Sequence, residues 1–131
     1  MTIKKIMVVD DSPTERAVME RMLKKGGYEV VAVTSGEAAV ERSVAEQPDL
    51  ILMDVVMPGL NGFQATRLIT HEESTKHIPV VICSTKDADT DKIWGLRQGA
   101  QDYLTKPLDE RVLLEKIRTL VHSKPAVATI H

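Results

Sequence analysis

The segment LILMDVVMPGLNG, from Leu50 to Gly62, is the most informative part of the sequence about the fold. It opens with four consecutive apolar residues, which predicts a short strand that is buried on both faces, as in a parallel sheet covered by helices. Asp54 ends this strand, and a helix is predicted to begin at about Gly62. One unit of the fold is therefore a buried strand, an acidic residue at its end, and a helix.

Similar units precede and follow this stretch. We predict five strands, at residues 6–9, 28–33, 50–53, 80–83 and 103–105. Helices are predicted at about 12–26, 36–46, 62–70 and 89–99, and from residue 109 onward. In the first of these helices, Ser12-Pro13-Thr14-Glu15 has the pattern of a capping box. Five strand–helix units joined by right-handed crossovers predict an α/β fold with an open, doubly wound parallel sheet.

Composition restricts the possible functions. The chain has 131 residues, 43% hydrophobic and 27% charged, which suits one domain; we expect it at residues 1–122, followed by a flexible tail at 123–131. The net charge of −2 gives no basic surface for nucleic acid. No apolar run approaches the roughly 20 residues of a membrane helix, and no signal-peptide pattern is visible. With Cys83 as the only cysteine, the expected location is the cytoplasm.

Ionisable and hydroxyl side chains lie where four of the predicted strands end. They are Asp10 and Asp11 after the first strand, Asp54 after the third, Ser84 and Thr85 after the fourth, and Lys106 at the end of the fifth. Each alone is an ordinary turn, cap or surface residue. Open α/β sheets bind ligands at the carboxyl ends of their strands, so the joint placement predicts one functional site.

The chemistry of this predicted site favours a divalent cation and a phosphoryl group. Three clustered carboxylates repel one another unless a cation lies near. A ligand set made only of oxygen favours Mg²⁺, with Mn²⁺ as the alternative ion. A carboxylate can attack phosphorus to give an aspartyl phosphate, and such transfer depends mainly on positioning and charge neutralisation.

Three segments resemble the signature segments of bacterial two-component response-regulator receiver domains. They are Val8-Val9-Asp10-Asp11-Ser12, the run from Leu52 to Gly62, and Tyr103-Leu104-Thr105-Lys106-Pro107. The resemblance extends over residues 4–121 and implies a flavodoxin-like (βα)5 fold with strand order 2-1-3-4-5. Such a domain is not an enzyme acting on separate substrates; it promotes only its own phosphorylation and dephosphorylation.

The resemblance implies a role for each acidic residue of the site. Asp54 is the phosphoacceptor. Asp10 and Asp11 hold the metal, with Asp11, Asp54 and the backbone carbonyl of Val56 as direct ligands. Lys106 contacts the phosphoryl group, and a cis peptide bond is typical of the position that follows it.

The resemblance also implies a switch and residues that set the lifetime of the phosphoryl group. Ser84 is the switch hydroxyl, because its spacing from the other site residues matches the family pattern, and Tyr103 is the aromatic residue that turns inward with it. Three residues flank the acyl phosphate and tune its lifetime: Val56, Thr85 and Lys86. Trp94 lies on the predicted fourth helix, where it is either a core residue or an anchor for a partner protein.

A closer resemblance is to the stand-alone regulators of type IV pilus twitching motility, the PilH-like proteins of a chemotaxis-like pathway. Its carriers are Asp11-Ser12-Pro13-Thr14-Glu15, the run from Met57 to Arg67, Thr85-Lys86-Asp87 and Asp91-Lys92-Ile93-Trp94-Gly95. It implies a monomer that receives its phosphoryl group from a histidine kinase and docks on an unknown downstream protein.

Other functions remain open at this point. The chain could drain phosphoryl groups from a shared kinase, or regulate flagellar chemotaxis. A receiver that binds partners constitutively would lack a site residue, whereas none is lacking here. A haloacid-dehalogenase-like phosphatase also uses an aspartate nucleophile at a strand end, but it places a second aspartate two residues later, where this chain has Val56.

Overall fold

The structure, a computed structural model, describes residues 2–128. Strands and helices alternate along the chain. They are β1 (Lys5–Val9), α1 (Pro13–Lys25), β2 (Glu29–Val33), α2 (Gly36–Glu46), β3 (Leu50–Met53), α3 (Gly62–His71), β4 (Val80–Ser84), α4 (Asp89–Arg97), β5 (Asp102–Thr105) and α5 (Glu110–Ala128). The predicted α/β alternation is therefore confirmed, with element bounds shifted by one or two residues in several places.

The five strands form one parallel sheet in the order β2-β1-β3-β4-β5, which confirms the flavodoxin-like arrangement. Val9 of β1 pairs with Val33 of β2 on one side and with Met53 of β3 on the other. Ser84 of β4 pairs with Thr105 of β5. The carboxyl ends of these strands are thus in register, so the residues that follow them emerge at one edge of the sheet.

Both faces of the sheet are covered, as the uniformly apolar strands predict. Alternate side chains of β1 and β3 belong to two different hydrophobic clusters. Ile6 and Leu52 pack in the cluster that includes residues of α1 and α5. Met7 and Ile51 pack in the cluster that includes residues of α2 and α3. Since strand side chains alternate between the two faces, each helical layer covers one face of the sheet.

The start of α1 departs from the predicted capping box. The Ser12 side chain does cap the helix, because it accepts a hydrogen bond from the Glu15 backbone amide at 3.3 Å. The reciprocal bond is replaced: the Ser12 amide donates to Oδ1 of Asp10 at 2.9 Å, not to the Glu15 carboxylate. The Glu15 side chain instead contacts Lys106. The capping-box prediction is therefore correct for Ser12 and wrong for Glu15, because the Glu15 carboxylate pairs with the charged Lys106 ammonium instead of the Ser12 amide.

The last helix, α5, runs to Ala128, and residues 129–131 lie outside the described part of the chain. The helix thus includes residues 123–128, which we had assigned to a flexible tail, and the division at residue 122 stays a prediction. Among residues 2–128, no helix is both long and apolar enough to cross a membrane.

Candidate functional site

Backbone hydrogen bonds between neighbouring segments position the predicted site residues. The Asp54 amide donates to the Val9 carbonyl at 2.9 Å, which holds the end of β3 against the end of β1. The Lys106 amide donates to the Ser84 carbonyl at 2.8 Å, which extends the pairing of β4 and β5 by one residue. The ladder of the sheet therefore places Asp54 and Lys106 at the same edge.

Three carboxylates meet at this edge. One oxygen from each of Asp10, Asp11 and Asp54 lies within 4.8 Å of the others. Asp10 is almost fully buried, with 1% of its surface exposed, whereas Asp11 is exposed. Both oxygens of Asp10 already accept hydrogen bonds, from the Ser12 amide at 2.9 Å and from the Lys106 ammonium at 2.7 Å. Such a cluster of oxygen donors suits a hard divalent cation.

The ammonium of Lys106 lies among these carboxylates. Its Nζ is 2.7 Å from Oδ2 of Asp10 and 3.4 Å from Oδ1 of Asp54, and it also contacts Oε1 of Glu15. Burial alone would lower the pKa of Lys106. Hydrogen bonds with Asp10 and Glu15, together with the charge of Asp54, outweigh burial and raise this pKa, so the side chain stays charged.

Glu15 lines the candidate site and contacts Lys106, and sequence reasoning missed it. The capping-box pattern gave it a different role, and residues at a helix start do not visibly belong to a strand-end site. One signal was available in the sequence. Glu15 lies four residues after Asp11, so one helical turn returns its side chain to the neighbourhood of the acidic pair.

The carboxyl group of Asp54 has a perturbed acidity. Only 12% of its side chain is exposed. Burial raises the pKa of Asp54 to about 6, the charge of Lys106 opposes this rise, and the charge of Asp10 adds to it. Burial therefore destabilises the ionised form of Asp54, and a cation in the cleft would favour it.

A cleft of about 170 Å³ opens over these side chains. Its walls combine the carboxylates and the ammonium with residues of three loops: Asp10, Asp11, Ser12, Glu15, Asp54, Val56, Thr85 and Lys106. A water molecule takes about 30 Å³ in the liquid, so the cleft has room for a phosphoryl-sized group together with water.

The two hydroxyl residues after Cys83 lie in different places. Ser84 is the last residue of β4 and is fully buried, and its Oγ accepts a hydrogen bond from the Lys86 amide at 3.2 Å. Thr85 is exposed and lines the cleft. The hydroxyl assigned to the switch therefore lies beneath the site, and the residue assigned to lifetime tuning forms part of its wall.

Tyr103 connects the end of β4 with helix α4. The ring is buried, and its hydroxyl donates to the Lys86 carbonyl at 2.7 Å. Burial raises the pKa of the phenol, and the Ser84 hydroxyl partly opposes that rise. A Cβ atom added at Gly95 of α4 would lie only 3.1 Å from Cδ2 of Tyr103. The ring thus supports α4 at close contact.

Helix α4 presents its large side chains to solvent. Gly95 is its one buried residue. Trp94 is 51% exposed, and Ile93 and Leu96 are similarly exposed, so the core role that we considered for the tryptophan is excluded. Val56, which lines the cleft, and Lys86 are also exposed. The Lys106–Pro107 peptide bond is cis, as expected.

The chain is similar to known proteins over most of its length. The family of response regulator receiver domains matches residues 6–118. Protein PilH of Pseudomonas aeruginosa is 53% identical over 117 residues, which make up 89% of this chain and 97% of PilH. The closer resemblance to PilH-like proteins that the sequence suggested is thereby confirmed.

Solved structures give the same picture. One is the receiver domain of sensor histidine kinase PA1611 from Pseudomonas aeruginosa, which has a magnesium ion coordinated in its active site cleft. It superimposes with a TM-score of 0.83 at 32% identity, over 90% of this chain and 97% of that one. Chemotaxis protein CheY4 of Vibrio cholerae superimposes with a TM-score of 0.84 at 28% identity, over 90% and 98% of the two chains.

Proposed function

This chain belongs to the response regulator receiver family, and we propose that it is a single-domain regulator that accepts a phosphoryl group from a histidine kinase on Asp54. The observation that carries this proposal is the cleft in which Asp54 lies between two further carboxylates and the Lys106 ammonium. No separate substrate is involved. The domain promotes its own phosphorylation and dephosphorylation, and its phosphorylated form is read by another protein.

We further propose that the cleft holds Mg²⁺. Asp11, Asp54 and the backbone carbonyl of Val56 would be its direct ligands, and Asp10 would hold it less directly because both Asp10 oxygens are hydrogen-bonded. The bound ion would supply neutralising charge for phosphoryl oxygens. The all-oxygen cluster supports this assignment, as does the magnesium ion of the similar PA1611 domain.

In the proposed reaction, a carboxylate oxygen of Asp54 attacks the phosphorus atom of a phosphohistidine. A new P–O bond forms, the P–N bond breaks, and its electron pair stays with the imidazole of the kinase. Lys106 balances charge on one phosphoryl oxygen as a point charge. The side chains of Thr85, Val56 and Lys86 flank the acyl phosphate, where they control how readily water reaches it.

The signal would leave the site through Ser84 and Tyr103. A phosphoryl group on Asp54 would attract the Ser84 hydroxyl, and the Tyr103 ring would follow because it packs beside that hydroxyl. Gly95 lies so near the ring that a Cβ atom there would be 3.1 Å from Cδ2 of Tyr103, so a shift of Tyr103 would move α4. Trp94 is the neighbouring exposed residue on that helix and is our candidate anchor for the downstream protein.

As the pathway, we propose the chemotaxis-like system that controls type IV pilus twitching motility, because PilH shares 53% of the aligned residues with this chain. Two alternatives use the same chemistry. The protein could act as a phosphate sink for a shared kinase, or it could regulate flagellar chemotaxis. The lower identity to CheY4, at 28%, favours the pilus pathway over the flagellar one.

Intact-mass spectrometry after incubation with acetyl phosphate and Mg²⁺ tests the proposed chemistry. The wild type should gain the mass of one phosphoryl group, and Asp54→Ala should gain none. Omitting Mg²⁺ should abolish the gain in the wild type. A phosphoryl group that persists in Asp54→Ala would refute the assignment of the acceptor.

Affinity capture with and without beryllofluoride, a phosphoryl analogue, separates a messenger from a phosphate sink. A messenger should capture at least one protein only in the presence of the analogue, and Trp94→Ala should capture less of it. If the set of captured proteins is identical in both states, the messenger role is wrong and the sink is favoured.

A further inference from the structure

The ammonium of Lys106 has no free hydrogen for a phosphoryl oxygen. An ammonium carries three donors, and in this structure Lys106 hydrogen-bonds to three carboxylates, those of Asp10, Glu15 and Asp54. Its side chain is only 9% exposed, so water has little access to the ammonium. If Lys106 is to contact a phosphoryl group on Asp54, one of its present partners must leave.

The three partners differ in how easily they can leave. Asp10 is almost fully buried, and its second oxygen holds the Ser12 amide. The Asp54 contact is the longest of the three, at 3.4 Å, but this residue stays in the cleft because it would carry the phosphoryl group. Glu15 is 49% exposed in its side chain, and its helix cap is made by its backbone amide and not by its carboxylate. Its side chain can therefore rotate into water without any change in the backbone of α1.

We propose that Glu15 is a positioning residue that occupies the hydrogen-bond donor of Lys106 until a phosphoryl oxygen takes its place. The inference rests on the proposed function, because it assumes that Lys106 contacts a phosphoryl group on Asp54. In the unphosphorylated protein, the Glu15 carboxylate accepts one of the three hydrogen bonds of the Lys106 ammonium. On phosphorylation, Glu15 swings out, and the phosphoryl oxygen becomes the third partner of Lys106.

Neutralising Glu15 should change the affinities of the cleft for a phosphoryl analogue and for Mg²⁺ in opposite directions. Glu15 competes with the phosphoryl group for Lys106, so neutralising it should tighten binding of a phosphoryl analogue. A partly exposed ion pair contributes up to about 1 kcal/mol, which corresponds to a gain of about two- to fivefold. Glu15 also adds negative charge beside the acidic cluster, so neutralising it should weaken Mg²⁺ binding slightly. A variant that merely loosened the fold would weaken both.

Two substitutions at this position separate contact from charge. Glu15→Gln removes the charge and leaves a weaker acceptor for Lys106. Glu15→Asp keeps the charge and the acidic first turn of α1 but withdraws the carboxylate by one methylene, about 1.5 Å. The matched control is Glu20→Gln, the same change on the same helix, at a residue that pairs with Lys24 and not with Lys106.

The test is a pair of titrations of the full chain followed by amide NMR, first with Mg²⁺ alone and then with beryllofluoride at saturating Mg²⁺. Both Glu15 variants should bind beryllofluoride about two- to fivefold more tightly than the wild type and the Glu20→Gln control. Glu15→Gln alone should bind Mg²⁺ more weakly. Equal beryllofluoride affinity in all four proteins, or tighter binding in Glu15→Gln but not in Glu15→Asp, would overturn the proposed contact.

The behaviour of the wild type shows whether a failed test concerns only Glu15 or also the proposed function. If the wild type binds beryllofluoride and becomes phosphorylated while the Glu15 variants behave like it, only the role of Glu15 is wrong. If the wild type neither binds the analogue nor accepts a phosphoryl group, both proposals are overturned.

Discussion

Replacement of Asp54 by asparagine should stabilise the metal-free protein at neutral pH. The fold holds this carboxylate in a mostly buried position beside Asp10, and Lys106 compensates its charge only in part. Asparagine has nearly the same shape and can still accept a hydrogen bond from Lys106. The substitution therefore removes an unfavourable charge while it keeps the packing of the site.

The magnitude follows from the shift in acidity. Folding raises the pKa of Asp54 from 3.8 to about 6, and each unit corresponds to about 1.4 kcal/mol, so the ionised form costs about 3 kcal/mol. Because the side chain is only 12% exposed, solvent screening reduces this cost little. A neutral asparagine forms a weaker bond with Lys106 than a carboxylate does, so we expect a net gain of about 2 kcal/mol.

The gain should depend on pH in a defined direction. A carboxyl group whose pKa is raised by folding binds more protons in the folded state than in the unfolded state. The wild type is therefore stabilised by Asp54 protonation below pH 3.8 and loses that stabilisation as pH rises to about 6. The advantage of Asp54→Asn should be complete above this window and should disappear below it.

Urea unfolding in EDTA between pH 4 and pH 8 measures this difference. The matched control is Asp87→Asn, the same chemical change at an exposed position, which should shift the free energy of unfolding by less than about 0.5 kcal/mol. At saturating Mg²⁺ the wild type should become more stable than Asp54→Asn, since ligand binding stabilises only the protein that retains the carboxylate. A gain in the free energy of unfolding that stays constant with pH, or a loss at pH 8, would show that the buried charge of Asp54 does not destabilise the metal-free fold.

Four further substitutions, one of them a control, test other features of the molecule. Lys106→Met leaves the carboxylates without their counter-charge and should lower the free energy of unfolding by about 3 kcal/mol in EDTA. Mg²⁺ should restore part of this loss. Urea unfolding measures both effects. Gly62→Ala places a Cβ atom in overlap with the Asp54 carbonyl oxygen and should lower the free energy of unfolding by about 2–3 kcal/mol. Gly27→Ala is the control, because Gly27 has a φ of 94° but open space around it, and it should cost about 1 kcal/mol. Trp94→Ala should change the free energy of unfolding by less than about 0.5 kcal/mol because the side chain is exposed. A loss near the roughly 3–5 kcal/mol typical of a buried tryptophan would contradict the proposed surface role.

Much of the fold could be predicted because the apolar runs report burial directly. Strands β1 and β3 read as uninterrupted apolar segments, and both have helices on each face. The meeting of Asp10, Asp54 and Lys106 followed from the same pattern, since parallel strands end at one edge. Spacing along the sequence is enough to predict this meeting because backbone hydrogen bonds between the strands, and not side-chain packing, set the positions of the strand ends.

The remaining features depend on contacts that local patterns do not encode. Glu15 satisfies a capping pattern, and only the presence of Lys106 across the cleft draws its carboxylate away. Trp94 sits on a helix whose apolar residues have no clear inward face, so its exposure depends on Gly95 packing against Tyr103. Whether Ser84 or Thr85 faces the cleft depends on where β4 ends, and a shift of one residue exchanges the two faces.

Asp54 is proposed to accept the phosphoryl group, and chemical trapping of the acyl phosphate tests this assignment. After incubation with acetyl phosphate and Mg²⁺, borohydride reduces an aspartyl phosphate to homoserine, and peptide mass spectrometry then locates the altered residue. The account predicts homoserine at position 54 in the wild type and none in protein incubated without the phosphoryl donor. Homoserine at position 10 or 11, or an unaltered position 54 in protein that has gained a phosphoryl group, would contradict it.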